Sequence, residues 1–250
     1  MQTAIRAAQA GEQVIRRYYH SDLDVQFKSD QSPVTIADLE TERAIKAVLR
    51  EVFPDHGFYG EETGKDQTQA EHTWLVDPID GTKSFIRQYP FFSTQIALMR
   101  GEEFVLGVSN APLFSERAWA EKGGGAFLNG ASLRVSDIGE LAAATLSFGN
   151  IKTLAGDRRW LALADLVRQA GRVRGYGDFY HYHLLAAGKI DAVIESDVNI
   201  LDVAALSVIV REAGGRVTDL EGQALNLNTT GILASNGRLH ERLLATLTGQ

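Results

Sequence analysis

The 250-residue sequence contains no cysteine. That absence excludes disulfide staples, thiol nucleophiles and cysteine-ligated zinc together. There is no surplus of positive charge either: 25 Lys and Arg stand against 32 Asp and Glu, a net charge of −7. Nucleic-acid polymers are bound by basic faces, so nothing here points to such a partner. No apolar run approaches the ~18–20 residues of a membrane span. Charges interrupt the first twenty residues, where a secretory signal would carry an unbroken apolar core. Fixed-period repeats, low-complexity tracts and linkers rich in Pro, Gly or Ser are also missing. These absences lead us to expect a soluble, cytoplasmic protein with no membrane partner.

What is present is a globular composition. Apolar residues make up 44% and charged residues 23%, which supports a real core and excludes dominant disorder. The length admits one large domain or two small ones. Near the start, Ile5, Ala8, Ile15 and Tyr19 fall on one helical face. A second helix is expected over Ile36–Val52, with Thr35 and Asp38 as a capping box and Pro54 as its stop. From Trp74 to Val135 short apolar runs alternate with turns. Trp74–Val76, Thr94–Met99, Phe104–Ser109 and Ala118–Ala120 read as antiparallel strands, with tight turns at Gly123–Gly125 and Asn129-Gly130.

After Leu141 the rhythm is α/β. Helices are expected at Arg159–Ala170, Phe179–Ala187, Asp202–Ala213 and Arg238–Thr246. Strands are expected at Ala192–Ile194, Arg216–Thr218 and Ile232–Ala234, with Gly188 and Gly214-Gly215 at helix ends. The chain thus divides into an α+β half, 1–140, and an α/β half, 141–250, joined near 136–146 and sharing an extensive interface.

Three acidic segments stand out. In Trp74-Leu-Val-Asp-Pro-Ile-Asp-Gly-Thr82 an apolar strand runs into Asp77 and Asp80, three residues apart on a turn. Pro78 should end the strand, because it cannot donate to a ladder. Two such carboxylates can converge on a hard cation such as Mg²⁺, although an ordinary Asp-Gly turn would look the same. Gly60-Glu61-Glu62-Thr63-Gly64 pairs two acids that repel unless solvated or holding a cation. Asp202 opens the apolar stretch Val203–Val210, where a plain helix N-cap would explain it.

Taken in order, Gly60-Glu61-Glu62, Asp77-Pro-Ile-Asp-Gly-Thr82, Asp202-Val-Ala-Ala205 and Glu212-Ala-Gly-Gly215 resemble the inositol monophosphatase family, Mg²⁺-dependent and Li⁺-sensitive phosphomonoesterases. The segment Lys28–Asp38 is similar too, so the resemblance covers nearly the whole chain. It implies an α/β protein built as a layered αβαβα sandwich, active on a small phosphate monoester and commonly dimeric. By the same resemblance, Glu61, Asp77 and the carbonyl of Ile79 hold one Mg²⁺, while Asp77, Asp80 and Asp202 hold a second. Thr82 with Glu61 activates water, and the backbone of Gly81 and Thr82 receives phosphate. Asp38 supports the water or a third ion, with Lys28 assisting. One position departs from the pattern: Leu201 precedes Asp202 where the family usually has Trp.

The stretch Gly177-Asp178-Phe-Tyr-His-Tyr-His183 and the Lys83 after Thr82 are most similar to the family's histidinol-phosphatase branch. Histidinol phosphate carries an ammonium and an imidazole. Asp178 or Glu195 would pair with the ammonium better than a hydroxyl would. Tyr180, His181, Tyr182 or His183 could pack on the imidazole, though a helix would turn at most two of them toward the site. Asp197, like Glu195, lies just ahead of Asp202. Inositol phosphates, sugar phosphates and 3′-phosphonucleotides remain open as substrates. So does a metal-binding regulatory protein without turnover.

Overall fold

The computed structural model describes residues 1–21, 25–27, 33–67 and 69–249. In chain order the elements of the first part are α1 (Gln2–Tyr18), β1 (Gln26–Phe27), β2 (Pro33–Val34), α2 (Ile36–Val52), β3 (Gly57–Gly60), β4 (Gly64–Asp66), β5 (His72–Asp80), α3 (Thr82–Ile86), β6 (Ser93–Arg100), β7 (Glu103–Ala111), β8 (Glu116–Glu121), β9 (Ala126–Leu128) and β10 (Ala131–Ser132). The second part holds β11 (Thr145–Gly149), α4 (Ile151–Gly156), α5 (Trp160–Gln169), β12 (Arg172–Arg174), α6 (Asp178–Ala186), β13 (Ala192–Ser196), α7 (Ile200–Glu212), β14 (Arg216–Thr218), β15 (Gly231–Ser235) and α8 (His240–Thr248).

Two sheets form the frame. The eight-stranded sheet runs β10-β9-β8-β7-β6-β5-β3-β4 and is antiparallel except where β3 lies parallel to β5. The five-stranded sheet runs β12-β11-β13-β15-β14, with β11 parallel to both β12 and β13. Helices α1 and α2 cover one face of the larger sheet, where Ala4, Ala8, Ile45 and Leu49 meet Trp74, Val76, Ile96 and Val108. Helices α6 and α7 fill the space between the sheets, packing Leu185, Ala205 and Ile209 with Leu75, Ala97, Val193 and Ile232. Helices α5 and α8 close the outer face of the smaller sheet through Leu163, Leu166, Leu243 and Leu247. This is the expected αβαβα layering. Every residue of α7 from Ile200 to Val210 except Asp202 is buried, which explains why its sequence shows no polar stripe. Gly107 on β7 lets the sheet come this close, because a Cβ there would collide with the carbonyl of Ala205.

The second helix spans Ile36–Val52 as read, and the capping box is present. Asp38 Oδ2 accepts the Thr35 N–H at 2.7 Å, and Thr35 Oγ1 accepts from Ala37 at 3.1 Å. Two expectations need correcting. Pro78 does not end its strand: β5 continues to Asp80, and between the pairs Asp77↔Gln95 and Asp80↔Ser93 it carries one residue more than β6. That extra residue is a β-bulge, which absorbs the missing proline donor. Asp202 is not the N-cap of its helix: Asn199 is, and Asp202 Oδ2 accepts the Asn199 N–H at 2.9 Å as the third member of a capping box. Lys28 and the neighbouring positions 29–32 lie outside the described residues. The strand Thr145–Gly149 and the short helices Thr82–Ile86 and Ile151–Gly156 escaped the sequence reading, since each is too short to display a period.

One buried imidazole sets a pH limit on this frame. His240 is enclosed between Thr218 Oγ1, 3.1 Å from Nε2, and Ser235 Oγ, 3.0 Å from Nδ1. Burial pushes its pKa from 6.5 down to about 4, with the nearby Arg216 charge adding to the effect. The unfolded imidazole takes up a proton near 6.5 while the folded one resists to about 4. Its contribution to stability is therefore complete above pH 6.5 and is lost as pH falls through that window. Thermal midpoints measured from pH 7 to 4 should fall less steeply for His240→Gln than for the wild type. Equal slopes would remove His240 from the explanation of acid sensitivity.

Candidate metal centre and substrate cavity

Both sheets deliver carboxylates from the C-terminal ends of parallel strands, the place where open α/β sheets leave a crevice. β3 ends at Gly60 and leads into Glu61; its parallel neighbour β5 ends at Asp77 and Asp80. β11 ends at Gly149 before Asn150, and β13 carries Glu195 near its end. Asp202 arrives from the first turn of α7.

Ligand atoms of Asp77, Asp80 and Asp202 lie within 4.8 Å of one another, a set that could hold a metal ion. The bulge after Asp77 makes this possible. Asp77 Oδ1 accepts the Ile79 N–H at 2.9 Å, and Thr94 Oγ1 donates to the Pro78 carbonyl at 2.9 Å, so the extra residue is fixed from both sides. Gly81 then turns the chain at φ +91°, where a Cβ would lie 2.6 Å from the Phe91 carbonyl. Such a turn accepts only glycine at low cost. Thr82 starts α3 directly after it, so the first N–H groups of that helix have no intrahelical acceptor.

Electrostatics shows the strain of gathering these groups. Burial, and then the charges of Glu61, Asp80 and Asp202, hold the Asp77 carboxyl well above the ordinary range. Asp80 is raised likewise by burial and by Asp202, Asp178 and Glu195. Burial is also the main reason Asp202 is pushed up to about 7; the Asn199 N–H works against it, and the Glu61 charge works with it. With Glu61, hydrogen-bonded to Asp77, the cluster holds four carboxylates. Fully ionised, it carries the charge of two divalent cations, and its all-oxygen donor set suits a hard ion such as Mg²⁺.

Thr82 Oγ1 lies 3.2 Å from Asp38 Oδ1 and 3.1 Å from the Ile79 carbonyl. Its single hydrogen serves these two acceptors, leaving its oxygen lone pairs for another donor. Asp38 is held through its other oxygen by Thr35. Asp38 thus has one job in the helix cap and another at Thr82. Glu42 went unnoticed in the sequence. It is fully buried, and its carboxylate accepts the N–H groups of Glu62 at 2.8 Å and Thr63 at 3.0 Å. It anchors the turn that carries Glu61, and Gly60 is small because a Cβ there would strike the Glu42 carboxylate. The signal was an acid in phase with Ile45 and Leu49 on the core face of α2.

Beside the acidic cluster lies a cavity of about 50 Å³, lined by Asp80, Asn150, Asp178, Tyr182, Glu195 and Asp202 among others. Asp178, the first residue of α6, has φ +46°, a left-handed conformation rare for a non-glycine residue. Burial and the Glu195 charge raise its pKa to about 6. Of the rest of the α6 aromatic run, Tyr182 lines the cavity too, while its neighbours point elsewhere. Tyr180 packs against Phe91, Phe114 and Tyr176 with ring centroids 5.9, 4.7 and 6.2 Å away. His181 is fully buried between Ser147 Oγ (3.2 Å) and Glu195 Oε2 (3.1 Å), so it backs Glu195 instead of lining the cavity. His183 bonds Ser109 and Glu116 beneath the helix. Asp197 lines a separate groove of about 870 Å³ with Asp157, Arg159 and Glu221, which contains none of the clustered carboxylates. Leu201 is buried in the central core, where it fills the place the sequence left in question. Asn150 gave no advance signal, since the strand it follows, β11, went unread as well.

Comparison with known proteins agrees with this geometry. Residues 1–250 match the family described as "Inositol monophosphatase family". A histidinol-phosphatase from Mycobacterium tuberculosis is 40% identical over 253 residues, covering 98% of this chain and 96% of that protein. An inositol-1-monophosphatase from Caulobacter vibrioides is 36% identical over 235 residues, covering 91% of each. The crystal structure of the extragenic suppressor protein suhB from Bartonella henselae superposes with a TM-score of 0.90 at 32% identity, covering 99% of this chain and 97% of that one. No helix among the described residues is long and apolar enough to cross a membrane. The chain belongs to the metal-dependent inositol monophosphatase family and is a phosphoric monoester hydrolase.

Proposed function

We propose that this enzyme hydrolyses histidinol phosphate, with Glu61, Asp77, the Ile79 carbonyl, Asp80 and Asp202 holding two Mg²⁺ ions. The observation that carries the substrate is the pair Asp178 and Glu195. These two carboxylates line the cavity beside the metal cluster in addition to the acids needed to balance the ions. A leaving alcohol that bears an ammonium satisfies them; a neutral polyol leaves their charges buried and unmatched. Relatives named histidinol-phosphatase support the reading, and the inositol-1-monophosphatase relative marks the competing one.

The chemistry that bound divalent ions supply is neutralisation of the phosphate dianion and acidification of a nearby water. The chain's own groups do the rest. Asp38 Oδ1 draws the Thr82 hydroxyl hydrogen toward itself, which turns the Thr82 lone pairs outward. A water donating to Thr82 Oγ1 is thereby oriented, and Glu61 takes its proton. First-turn N–H groups at Gly81 and Thr82 accommodate phosphate oxygens, as helix N-termini do. Asp178 and Glu195 hold the alcohol side, so the ester bond lies between the two recognition surfaces.

Three measurements bear on this reading. Asp77→Asn and Asp80→Asn should each abolish phosphate release while the fold persists, since they remove ligand charge and no core volume. The metal-free protein should lose no stability in either variant, because one repelling charge is gone, and Mg²⁺ should raise its thermal midpoint less than in the wild type. Activity at the wild-type level in either variant would end the site assignment. Thr82→Ala should lower kcat by about 10²-fold, the usual scale of general acid–base help, with Mg²⁺ affinity little changed. Loss of affinity with kcat intact at saturating metal would reassign Thr82 to a structural role.

For the substrate, phosphate release from a panel of esters at saturating Mg²⁺ should favour histidinol phosphate. A charge-assisted hydrogen bond contributes about 1.5–3 kcal/mol, or roughly 10- to 150-fold in kcat/KM. Asp178→Asn keeps the shape and removes the charge, so the preference for histidinol phosphate over glycerol phosphate should shrink by about that factor. An unchanged preference would leave Asp178 outside recognition. A wild type that prefers inositol phosphates or phosphonucleotides would leave only the two-metal phosphatase.

A further inference from the structure

Glu195 is held in an unusual way for a residue that faces a cavity. It is 6% exposed, and a single oxygen, Oε2, takes both of its hydrogen bonds. Tyr182 donates its hydroxyl to that oxygen at 2.9 Å, and His181 Nε2 lies 3.1 Å from it. The direction of the His181 bond follows from its partner. An ionised carboxylate oxygen can only accept, so Nε2 carries the hydrogen and donates to Glu195. In the neutral ring Nδ1 is then the acceptor, and the Ser147 hydroxyl 3.2 Å away donates to it while Ser147 Oγ accepts the Tyr176 N–H at 3.3 Å. The other oxygen, Oε1, accepts no hydrogen bond among the described residues. It lies over Gly149, where any Cβ would occupy the same space. Glu195 therefore presents one saturated oxygen to the protein and one unsatisfied oxygen to the side where Gly149 gives it room.

We propose that His181 and Tyr182 are positioning residues for substrate choice: together they clamp Glu195 Oε2 so that Oε1 stands ready for a cationic group of the leaving alcohol. Neither side chain has to touch substrate. A carboxylate with one donor removed can rotate about its last torsion toward the remaining donor and carry Oε1 off its line. Two donors arriving from adjacent positions of one buried helix prevent that rotation. Gly149 completes the arrangement by keeping the space around Oε1 empty of side chain. This proposal rests on the reading that the substrate carries an ammonium or imidazolium group, and it explains why recognition of that group would be steep: the receiving oxygen is fixed before the ligand arrives.

The test compares histidinol phosphate with glycerol phosphate in the Mg²⁺-loaded enzyme. Tyr182→Phe removes one donor and keeps the ring. His181→Leu removes the other, and His181→Gln restores an N–H near the same place. Tyr182→Phe and His181→Leu should each cut the kcat/KM preference for histidinol phosphate about five- to tenfold, the scale of one ordinary hydrogen bond, because the lost donor acts on the substrate only through Glu195. The change should appear in KM for histidinol phosphate, with kcat held within about twofold, and His181→Gln should recover most of it. In a Glu195→Gln background Tyr182→Phe should add almost nothing to the loss. A wild type without preference for histidinol phosphate overturns the substrate reading and the clamp with it. A wild type that shows the preference, with variants that lose both esters equally or keep the preference intact, overturns the clamp alone. Circular dichroism and the Mg²⁺-dependent rise in thermal midpoint identify a variant that has failed to fold; for such a variant at position 181, Tyr182→Phe, which keeps its volume, decides the outcome.

Discussion

Mutual repulsion among carboxylates is the constraint around which this molecule is arranged. Asp77, Asp80 and Asp202 are held close together in a largely buried place, with Glu61 bonded to the first of them. Burial raises the proton affinity of all three; the charges of Asp80 and Asp202 add to it at Asp77, that of Asp202 at Asp80, and that of Glu61 at Asp202. Such a group would drift apart unless the backbone were pinned on all sides. The pins are local and ordinary: a bulge closed by Ile79 and Thr94, a left-handed glycine at 81, two helix capping boxes, and a buried glutamate under the Glu61 turn. Each uses the backbone's own hydrogen-bonding groups, and among the described residues no Lys or Arg is needed to hold the charges in place. A divalent cation then meets a cavity already shaped for it.

Separating the tasks between the two sheets has chemical consequences. The larger sheet presents Asp77 and Asp80 of the acidic cluster, with Glu61 just beyond β3. The smaller sheet, with α6, lines the adjoining cavity with Asn150, Asp178 and Glu195. Asp202 joins them, since α7 lies between the sheets and its first turn reaches the cluster. The acidic cluster can therefore stay constant while the rest of the cavity lining varies. Relatives with different names for their substrates share the fold at comparable identity, in agreement with that division.

Much of this was legible in the residues. α2 and its capping box, the meander from Trp74 onward and the four later helices were all visible as period, cap and turn. So were Asp77, Asp80 and Thr82, because a short motif concentrates them, and Asp202, because it opens a long apolar run. The α6 run Asp178–His183 was harder. Sequence showed a row of polar aromatics but no phase by which to sort them, since α6 is buried on several sides. Asp178 turned to the cavity, Tyr180 to an aromatic cluster, His181 and Tyr182 to Glu195, and His183 to the floor. Glu42 and Asn150 were invisible for a different reason: their roles are to hold backbone that comes from far away in the chain, and spacing carries no trace of such contacts.

α7 has no solvent face. It is bounded by the larger sheet on one side and by α6 and the smaller sheet on the other, with Gly107 admitting it to within backbone contact. A helix so enclosed cannot keep half of its partners: if either sheet frays, apolar surface along most of its length meets water. Chain fragments ending before residue 200 would also lack the carboxylate that completes the cluster. Calorimetry on such a protein is expected to find one endotherm, and limited proteolysis to leave no stable half-molecule behind.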